Sequence, residues 1–332
     1  MKRKVIKQGH NTLTITLPSK WAMNYGVKPG DEIDVVEQEK SLVINTDGNG
    51  AIPSSTTIDI SNLSSPLIWR YILSAYRAGY DEIRVTGIGT GKKSVYSAFS
   101  YNTLDYLKDS KQSRICGLNL SPMETVSAVV NRLIGVEIID QKSNQCIIKE
   151  MSDVTDKEFG NALRRIFILL QTETESIKNG FSGKTDDLKA IHLVDTNLDR
   201  FEDFCFRVLN KKGYSIMRKT NTMHSLIFTL EMLGDELKKI AIHMLEDRGK
   251  YTKLISDIFS LISDQFDRFY KLFYKFSKEL AVDIYKKDNE ATEFTLKNLK
   301  AFNNDERELL HHIKKIGIYV LSLTELRIDM EF

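Results

Sequence analysis

Cysteine and long apolar runs are scarce in this sequence, and their scarcity excludes several classes of protein. The 332 residues contain three cysteines, Cys116, Cys146 and Cys205, which lie far apart without the spacing of a zinc site or a redox motif. We therefore expect buried free thiols in a reducing compartment. No stretch approaches the ~20 apolar residues of a membrane span, and no apolar run follows the basic start, as a secretory signal requires. The sequence predicts a cytoplasmic protein without a transmembrane segment.

A net excess of charge is also lacking, but the charge is unevenly distributed. The formal net charge is only +2, yet residues 1–30 carry six basic side chains and no acidic one. Residues 31–47 then carry six acids against one lysine. From residue 151 onward the balance is nearly even, with 29 basic and 30 acidic side chains. A polyanion should therefore meet the amino terminus first.

The first 45 residues show a pattern typical of β-structure. Leu13, Ile15 and Leu17 alternate with threonines, which predicts a half-buried strand that ends at Pro18. We expect Ser19 to cap a short helix. The chain should continue with a helix over residues 20–25, a turn at residues 28–31 and a hairpin of residues 32–37 with 41–44. So small a unit buries too little surface to fold alone, and we infer that two chains pair here.

The stretches LTITLPSKW and GVKPGDEIDVV resemble the AbrB/SpoVT-type swapped-hairpin domain, and the resemblance covers about residues 3–46. It implies a domain over residues 1–47 that forms an interleaved, homodimeric β-barrel and binds double-stranded DNA. Lysine and arginine would neutralise phosphates, with Asn11 or Arg3 as candidates for base contact. The alternative is a solvated basic face on a dimerisation module. The candidate DNA-binding residues are Lys2, Arg3, Lys4, Lys7, His10, Asn11 and Lys20.

Residues 52–150 predict a small α/β domain that either binds a ligand or spaces the two ends of the chain. Ser121 and Glu124 flank a proline in the order of a capping box, which should open a helix running to Gly135. GIGTGKKS (87–94) is superficially similar to a phosphate-binding loop. It has three residues where that loop needs four, so we interpret it as a turn. The other predicted elements are strands over 58–60 and 82–86, a helix over 66–78 and a hairpin of 136–140 with 146–149.

From residue 151 the pattern predicts two three-helix bundles, with helices at about 155–179, 186–211, 218–247, 251–280, 285–301 and 305–328. Five carboxylates fall within or beside the apolar faces of the second and third helices: Asp195, Asp199, Glu202, Glu231 and Asp235. A lone buried charge is costly, so these groups must be paired, protonated or bound to metal. An all-oxygen site favours hard ions. The alternative is salt bridging to Arg164, Arg165, Arg200, Arg207 or Lys238.

DTNLDRFEDFCFRVLNKKG and LEMLGDELKKIA are similar to the PhoU family, whose repeated three-helix bundles carry D/E-x-x-x-D motifs. The resemblance implies multinuclear metal binding, with Fe, Mn, Mg or Zn as the ion. Asp195/Asp199 and Glu231/Asp235 lie at the motif positions of the first repeat. The second repeat has Ile318 and Ser322 where aspartates are expected, and keeps only Glu325. NRLIGVEIIDQKSNQCIIKEM also looks like the middle region of archaeal proteins that join an AbrB-type head to a PhoU body.

Together these features predict a multi-domain α+β protein with domains at 1–47, 52–150 and 151–332. We expect a non-catalytic, homodimeric regulator of phosphate uptake that binds DNA and metal ions and acts on a phosphate transporter or its signalling proteins. One alternative is a carboxylate-bridged metalloenzyme of the di-iron oxidase type, for which Glu308 and His311 supply one E-x-x-H step of the two required. Another is a plain AbrB-type transcription factor with a structural helical domain.

Overall fold

The computed structural model describes residues 1–38, 41–45, 54–90, 94–95, 119–151, 156–246 and 251–332. They form two compact units, residues 1–55 and 56–332. The predicted α+β class is confirmed: small sheets dominate the first unit, and a mixed layer and helical bundles make up the second. Residues 91–93 of the glycine-rich segment, and most of residues 88–120, lie outside the described ranges. The proposed division at residues 150/151 stays a prediction.

The first unit, called the head below, consists of two antiparallel hairpins and one short helix. Its elements are β1 (Ile6–Gln8), β2 (Thr12–Thr14), α1 (Ser19–Asn24), β3 (Asp34–Gln38) and β4 (Ser41–Asn45). β1 pairs with β2 and β3 with β4, and no barrel closes among the described residues of one chain. The predicted turn is present, since the Asp31 amide donates to the Lys28 carbonyl at 3.1 Å and Gly30 has φ +98°.

One prediction for the head is wrong. Ser19 does not cap α1 but is its first residue, and the preceding position is held by Pro18 without a side-chain cap. Proline fits there because its ring fixes φ, here −64°, at a value that suits the entry to a helix.

The α/β part of the second unit is a four-stranded sheet with two helices. The strands follow the order β5-β6-β10-β9, and β10 is antiparallel to both of its neighbours. The capping box is confirmed, because Ser121 and Glu124 exchange bonds of 2.7 and 3.3 Å. The elements are β5 (Ser55–Asp59), α2 (Ser65–Arg77), β6 (Glu82–Thr86), β7 (Ser94–Val95), β8 (Asn119–Leu120), α3 (Pro122–Arg132), β9 (Val136–Gln141) and β10 (Gln145–Glu150).

The helical part contains six helices within the described residues, as predicted: α4 (Asp156–Phe181), α5 (Ile191–Lys212), α6 (Thr220–Glu246), α7 (Lys253–Tyr274), α8 (Lys278–Asn298) and α9 (Asn304–Asp329). The predicted boundary between α7 and α8 is wrong. The break falls at residues 275–277, because Lys275 is extended and the Ser277 hydroxyl accepts a bond from the Leu280 amide at 3.3 Å. This N-cap serine fixes the start of α8 well before residue 285.

The two three-helix groups share one core. Helix α4 packs on α5, α6 and α7, while α9 packs on α6 and α7. Phe167 of α4 lies 6.4 Å from the Phe266 ring and 5.0 Å from the Phe273 ring, which joins the first group to the second. The α/β part has a separate core. None of the described helices is long and apolar enough to cross a membrane.

Candidate functional site

Helix α5 lies between the α/β part and the other helices, and it buries an unusual amount of charge. Its apolar residues, among them Leu198, Phe206 and Leu209, are buried as expected for a central helix. Five charged side chains are buried beside them: Asp195, Asp199, Glu202, Asp203 and Arg207. The predicted burial of Asp195, Asp199 and Glu202 is therefore confirmed.

Toward α6, the carboxylates surround one ammonium group. Lys238 Nζ lies 3.0 and 3.1 Å from the two carboxylate oxygens of Asp195, and 2.7 Å from Asp235 Oδ1. Only 8% of the Lys238 side chain is exposed. Glu231, one turn before Asp235, is half-buried. The alternative of a salt bridge to Lys238 is thus realised for two of the five predicted ligands.

Toward the α/β part, two arginines bind the remaining carboxylates. Arg77, at the end of α2, donates to Asp203 at 2.6 Å and to Glu202 at 3.0 Å. Arg132, at the end of α3, lies 2.9 Å from Asp199 and 3.4 Å from Asp203. Both arginines come from the α/β part, so these ion pairs fasten it to α5. We call Arg77, Arg132 and their three carboxylate partners the arginine clamp.

Two further arginines of α5 extend this attachment. Arg207 is fully buried and donates to the carbonyls of Tyr76 and Tyr80, at 2.9 Å each. Arg200 donates to the Arg132 carbonyl at 2.8 Å. Neither arginine pairs with the predicted metal ligands, although both were candidates for that role. They stabilise the same interface through backbone carbonyls, which need a buried donor.

Burial makes several of these carboxylates weak acids at neutral pH. It raises the pKa of Asp195 to about 7, against the opposing effect of Lys238. It also raises the pKa of Glu231 to about 7, with Asp235 and Asp199 adding to the effect. The pKa values of Asp199, Glu202 and Asp203 are raised by burial as well, in spite of their arginine partners. Burial therefore opposes ionisation of these carboxylates, and their basic partners favour it.

Glu173 of α4 belongs to the same cluster, and the sequence reasoning did not identify it. Its side chain is 1% exposed, and neither carboxylate oxygen has a hydrogen-bond partner. Burial raises its pKa well above the usual range, and the nearby Asp195 charge raises it further. Its position between Leu170 and Ile177 on an apolar face was the available signal. We call Glu173, Asp195, Asp199, Glu231, Asp235 and Lys238 the carboxylate cluster.

The ligand chemistry of the carboxylate cluster suits a hard cation. The positions of its side chains do not form a coordination site as they stand. Its ligands are all oxygens, two of them unpaired on Glu173, and its carboxylates outnumber its bases. Within the described ranges, however, no three His, Cys, Asp or Glu side chains converge as a metal site. Lys238 holds the central position instead. Metal binding by Asp195, Asp199, Glu202, Glu231 and Asp235 stays a prediction.

The motif positions of the second repeat and the E-x-x-H step lie on the surface. Ile318 is 57% exposed, and Glu325 is exposed and accepts a bond from the Tyr285 hydroxyl at 3.3 Å. Glu308 is 67% exposed and His311 is also exposed, which agrees with a surface interpretation of that E-x-x-H step.

In the head, all the predicted DNA-binding side chains are exposed. Lys2, Arg3 and Lys4 precede β1, Lys7 lies on β1, His10 and Asn11 form the β1–β2 turn, and Lys20 lies on α1. No side chain that the structure describes in residues 1–45 is buried. Leu13 is 72% exposed, Val35 53% and Leu42 60%. Apolar side chains so placed on strands lack the second layer that they need within one chain.

Comparison with known proteins identifies the domain type of the head. Residues 6–55 match the family model described as "Antidote-toxin recognition MazE, bacterial antitoxin". The head is therefore a MazE/AbrB-like domain, as the sequence predicts. No curated protein matches the chain.

Among solved structures, the chain is similar to the phosphate transport system regulatory protein PhoU from Streptococcus pneumoniae, with 17% identity and a TM-score of 0.43. The likeness covers 53% of this chain and 96% of that chain. At this level of similarity, the relation of the helical part to PhoU rests on its sequence motifs.

Replacing Asp203 with asparagine should destabilise the second unit. The change removes a fully buried charge that two arginines share, and breaking a buried pair costs roughly 3–5 kcal/mol. We expect a clear fall in the Tm of the full-length protein, measured by differential scanning calorimetry. Asp186→Asn, which removes an exposed pair with Lys189, is the control and should leave the Tm unchanged. Equal Tm values for both variants would show that the arginine clamp does not stabilise the second unit.

Replacing Glu173 with glutamine should reduce the dependence of stability on pH. Because the folded-state pKa of Glu173 is raised, the folded protein binds a proton that the unfolded chain releases, so stability falls as pH rises. We expect the Tm of the wild type to fall as the pH rises above 4.5, the ordinary pKa of a glutamate, and that of Glu173→Gln to fall less. Glu175→Gln, at an exposed position of the same helix, should keep the wild-type slope.

Proposed function

We propose that this chain is a homodimeric DNA-binding regulator of phosphate uptake. The observation that carries the proposal is the head: a MazE/AbrB-like domain whose strands expose apolar side chains beside a basic segment. A second copy of the head would cover Leu13, Val35 and Leu42. It would also double the number of basic residues on the assembled domain.

The basic residues suit a polyanion with a regular spacing of charge. Lys2, Arg3, Lys4, Lys7 and Lys20 are exposed, and residues 1–30 contain no acid that would repel phosphates. Ion pairing with phosphates supplies affinity and salt dependence. Asn11 and Arg3 are the candidates for base contact, since asparagine pairs with adenine and arginine with guanine in the major groove.

The link to phosphate rests on the motifs of α5 and α6. In the PhoU family these motifs accompany the regulation of phosphate transport, so we propose a phosphate transporter or its signalling proteins as further partners. We also propose that a divalent or trivalent metal ion (Fe, Mn, Mg or Zn) binds through Asp195, Asp199, Glu202, Glu231 and Asp235. The excess of buried carboxylates and the unpaired Glu173 support this part of the proposal.

Removing basic residues from the head should weaken DNA binding and its dependence on salt. We expect Arg3→Ala/Lys4→Ala to bind a random-sequence duplex library more weakly in fluorescence anisotropy. The slope of log K against log salt concentration should fall by about one for each phosphate that the protein no longer neutralises, hence by up to about four in a dimer.

Two further proteins serve as controls for this measurement. Lys297→Ala removes an exposed lysine of α8 and should bind DNA as the wild type does. A truncated protein of residues 56–332, which retains both hydrophobic cores, should not bind DNA. If the truncated protein binds with the wild-type slope, the DNA surface has been assigned to the wrong part of the chain.

Genome-wide mapping of bound DNA tests the physiological role. At high and low phosphate, we expect occupancy to differ at promoters of phosphate-transport genes, because a regulator of uptake must respond to supply. Identical occupancy under both conditions, with DNA binding intact, would refute the phosphate part of the proposal and leave the DNA-binding part standing.

A further inference from the structure

Lys238 is the one lysine of the Lys238-Lys239 pair that enters the carboxylate cluster. Its Nζ contacts both carboxylate oxygens of Asp195 and one of Asp235, at distances between 2.7 and 3.1 Å. Lys239 is exposed and pairs with Glu236, outside the cluster. The two neighbouring lysines therefore offer a matched comparison, with one inside the site and one outside it.

An inorganic cation and this ammonium group cannot share the same oxygens. Hard divalent ions bind carboxylate oxygens at about 2.0–2.6 Å. An ion that joined Asp195 to Asp235 through the oxygens that Lys238 contacts would take the position of Nζ, and two positive charges so close together repel strongly in a poorly solvated site. Binding of metal at these aspartates therefore requires Lys238 to move away.

A second observation is that the cluster contains a buried carboxylate that Lys238 does not pair with. Glu173 lies beside Asp195 and Lys238, is 1% exposed, and has two oxygens without a hydrogen-bond partner. A buried carboxylate without a hydrogen-bond partner is either protonated or able to bind a cation. Glu231 and Asp235 are half-buried, so one side of the cluster is open to solvent.

We propose that Lys238 is a tethered cation that occupies the cation position of the carboxylate cluster, and that a divalent metal ion binds there only by displacing it. The Lys238 ammonium competes with the metal ion for the same carboxylate oxygens. It therefore lowers the apparent metal affinity of the wild type and raises the metal concentration needed to fill the site. This inference rests on the metal part of the proposed function and is independent of DNA binding.

The test is titration of Mn²⁺ into the full-length wild type, Lys238→Met and Lys239→Met, followed by electron paramagnetic resonance of free Mn²⁺. Methionine keeps an apolar stem and removes the ammonium. We expect Lys238→Met to bind Mn²⁺ at least about ten-fold more tightly than the wild type, and Lys239→Met to bind as the wild type does. The Tm of Lys238→Met should also rise more on Mn²⁺ addition.

Equal affinities of the wild type and Lys238→Met would overturn the inference. If both bind tightly, the metal proposal survives without the competition; if neither binds, both fail, and the anisotropy measurement still decides DNA binding. Should Lys238→Met not fold, Lys238→Met/Asp235→Asn removes one charge of each sign and is compared with Asp235→Asn, with the same gain expected.

The wild type supplies an independent readout. Saturating Mn²⁺ should increase labelling of Lys238 by an amine-reactive reagent, located by mass spectrometry, because the displaced side chain reaches solvent. Unchanged labelling with Mn²⁺ bound would show that Lys238 is not displaced.

Discussion

A two-stranded hairpin is at best marginally stable in water, and the head of this chain consists of two hairpins without a buried side chain among its described residues. The exposed Leu13, Val35 and Leu42 need a covering layer that the described residues of one chain do not provide. A second copy is the simplest source of that layer, and pairing would bring two basic segments into one domain. The proposed DNA-binding function depends on this constraint, since an unpaired head has no fixed surface to present.

The second unit obeys a different constraint, which is the neutralisation of buried charge on α5. Toward the α/β part, Arg77 and Arg132 of the arginine clamp neutralise its three carboxylates, Asp199, Glu202 and Asp203. Toward α6, Asp195 is neutralised by Lys238. Helix α5 thus carries the attachment of the α/β part and also contributes Asp195 and Asp199 to the proposed cation site. Asp199 belongs to both groups, so any change of charge in the cluster acts on a residue that also holds the interface.

Local features of the fold were predictable because their causes are local. The capping box at Ser121 and Glu124 spans only four residues, and the six helices follow from apolar spacing over single segments. Ser277 was a missed signal of the same kind, since an N-cap can be read from sequence. Ser19 shows the limit of such signals, because a preceding proline displaced it from the cap position.

The partners of the buried carboxylates were not predictable in the same way. The burial of Asp195, Asp199 and Glu202 follows from their places on a helical face. Arg77 pairs with Asp203 across 126 positions of sequence, and Arg132 pairs with it across 71. Only the packing of α2 on α5, and of α3 on α2, brings them together. The helical spacing places Asp203 away from the apolar face of α5. In the structure, that side of α5 is also buried, because the α/β part packs on it.

Sedimentation equilibrium of the full-length protein tests the central claim most directly, because the function proposed here requires a paired head. The account predicts a mass of about twice the 38.1 kDa of one chain, and a fall toward a single-chain mass when Leu13 is replaced with aspartate in the head. A full-length wild type that sediments as one chain at micromolar concentration, with the head folded, would contradict it.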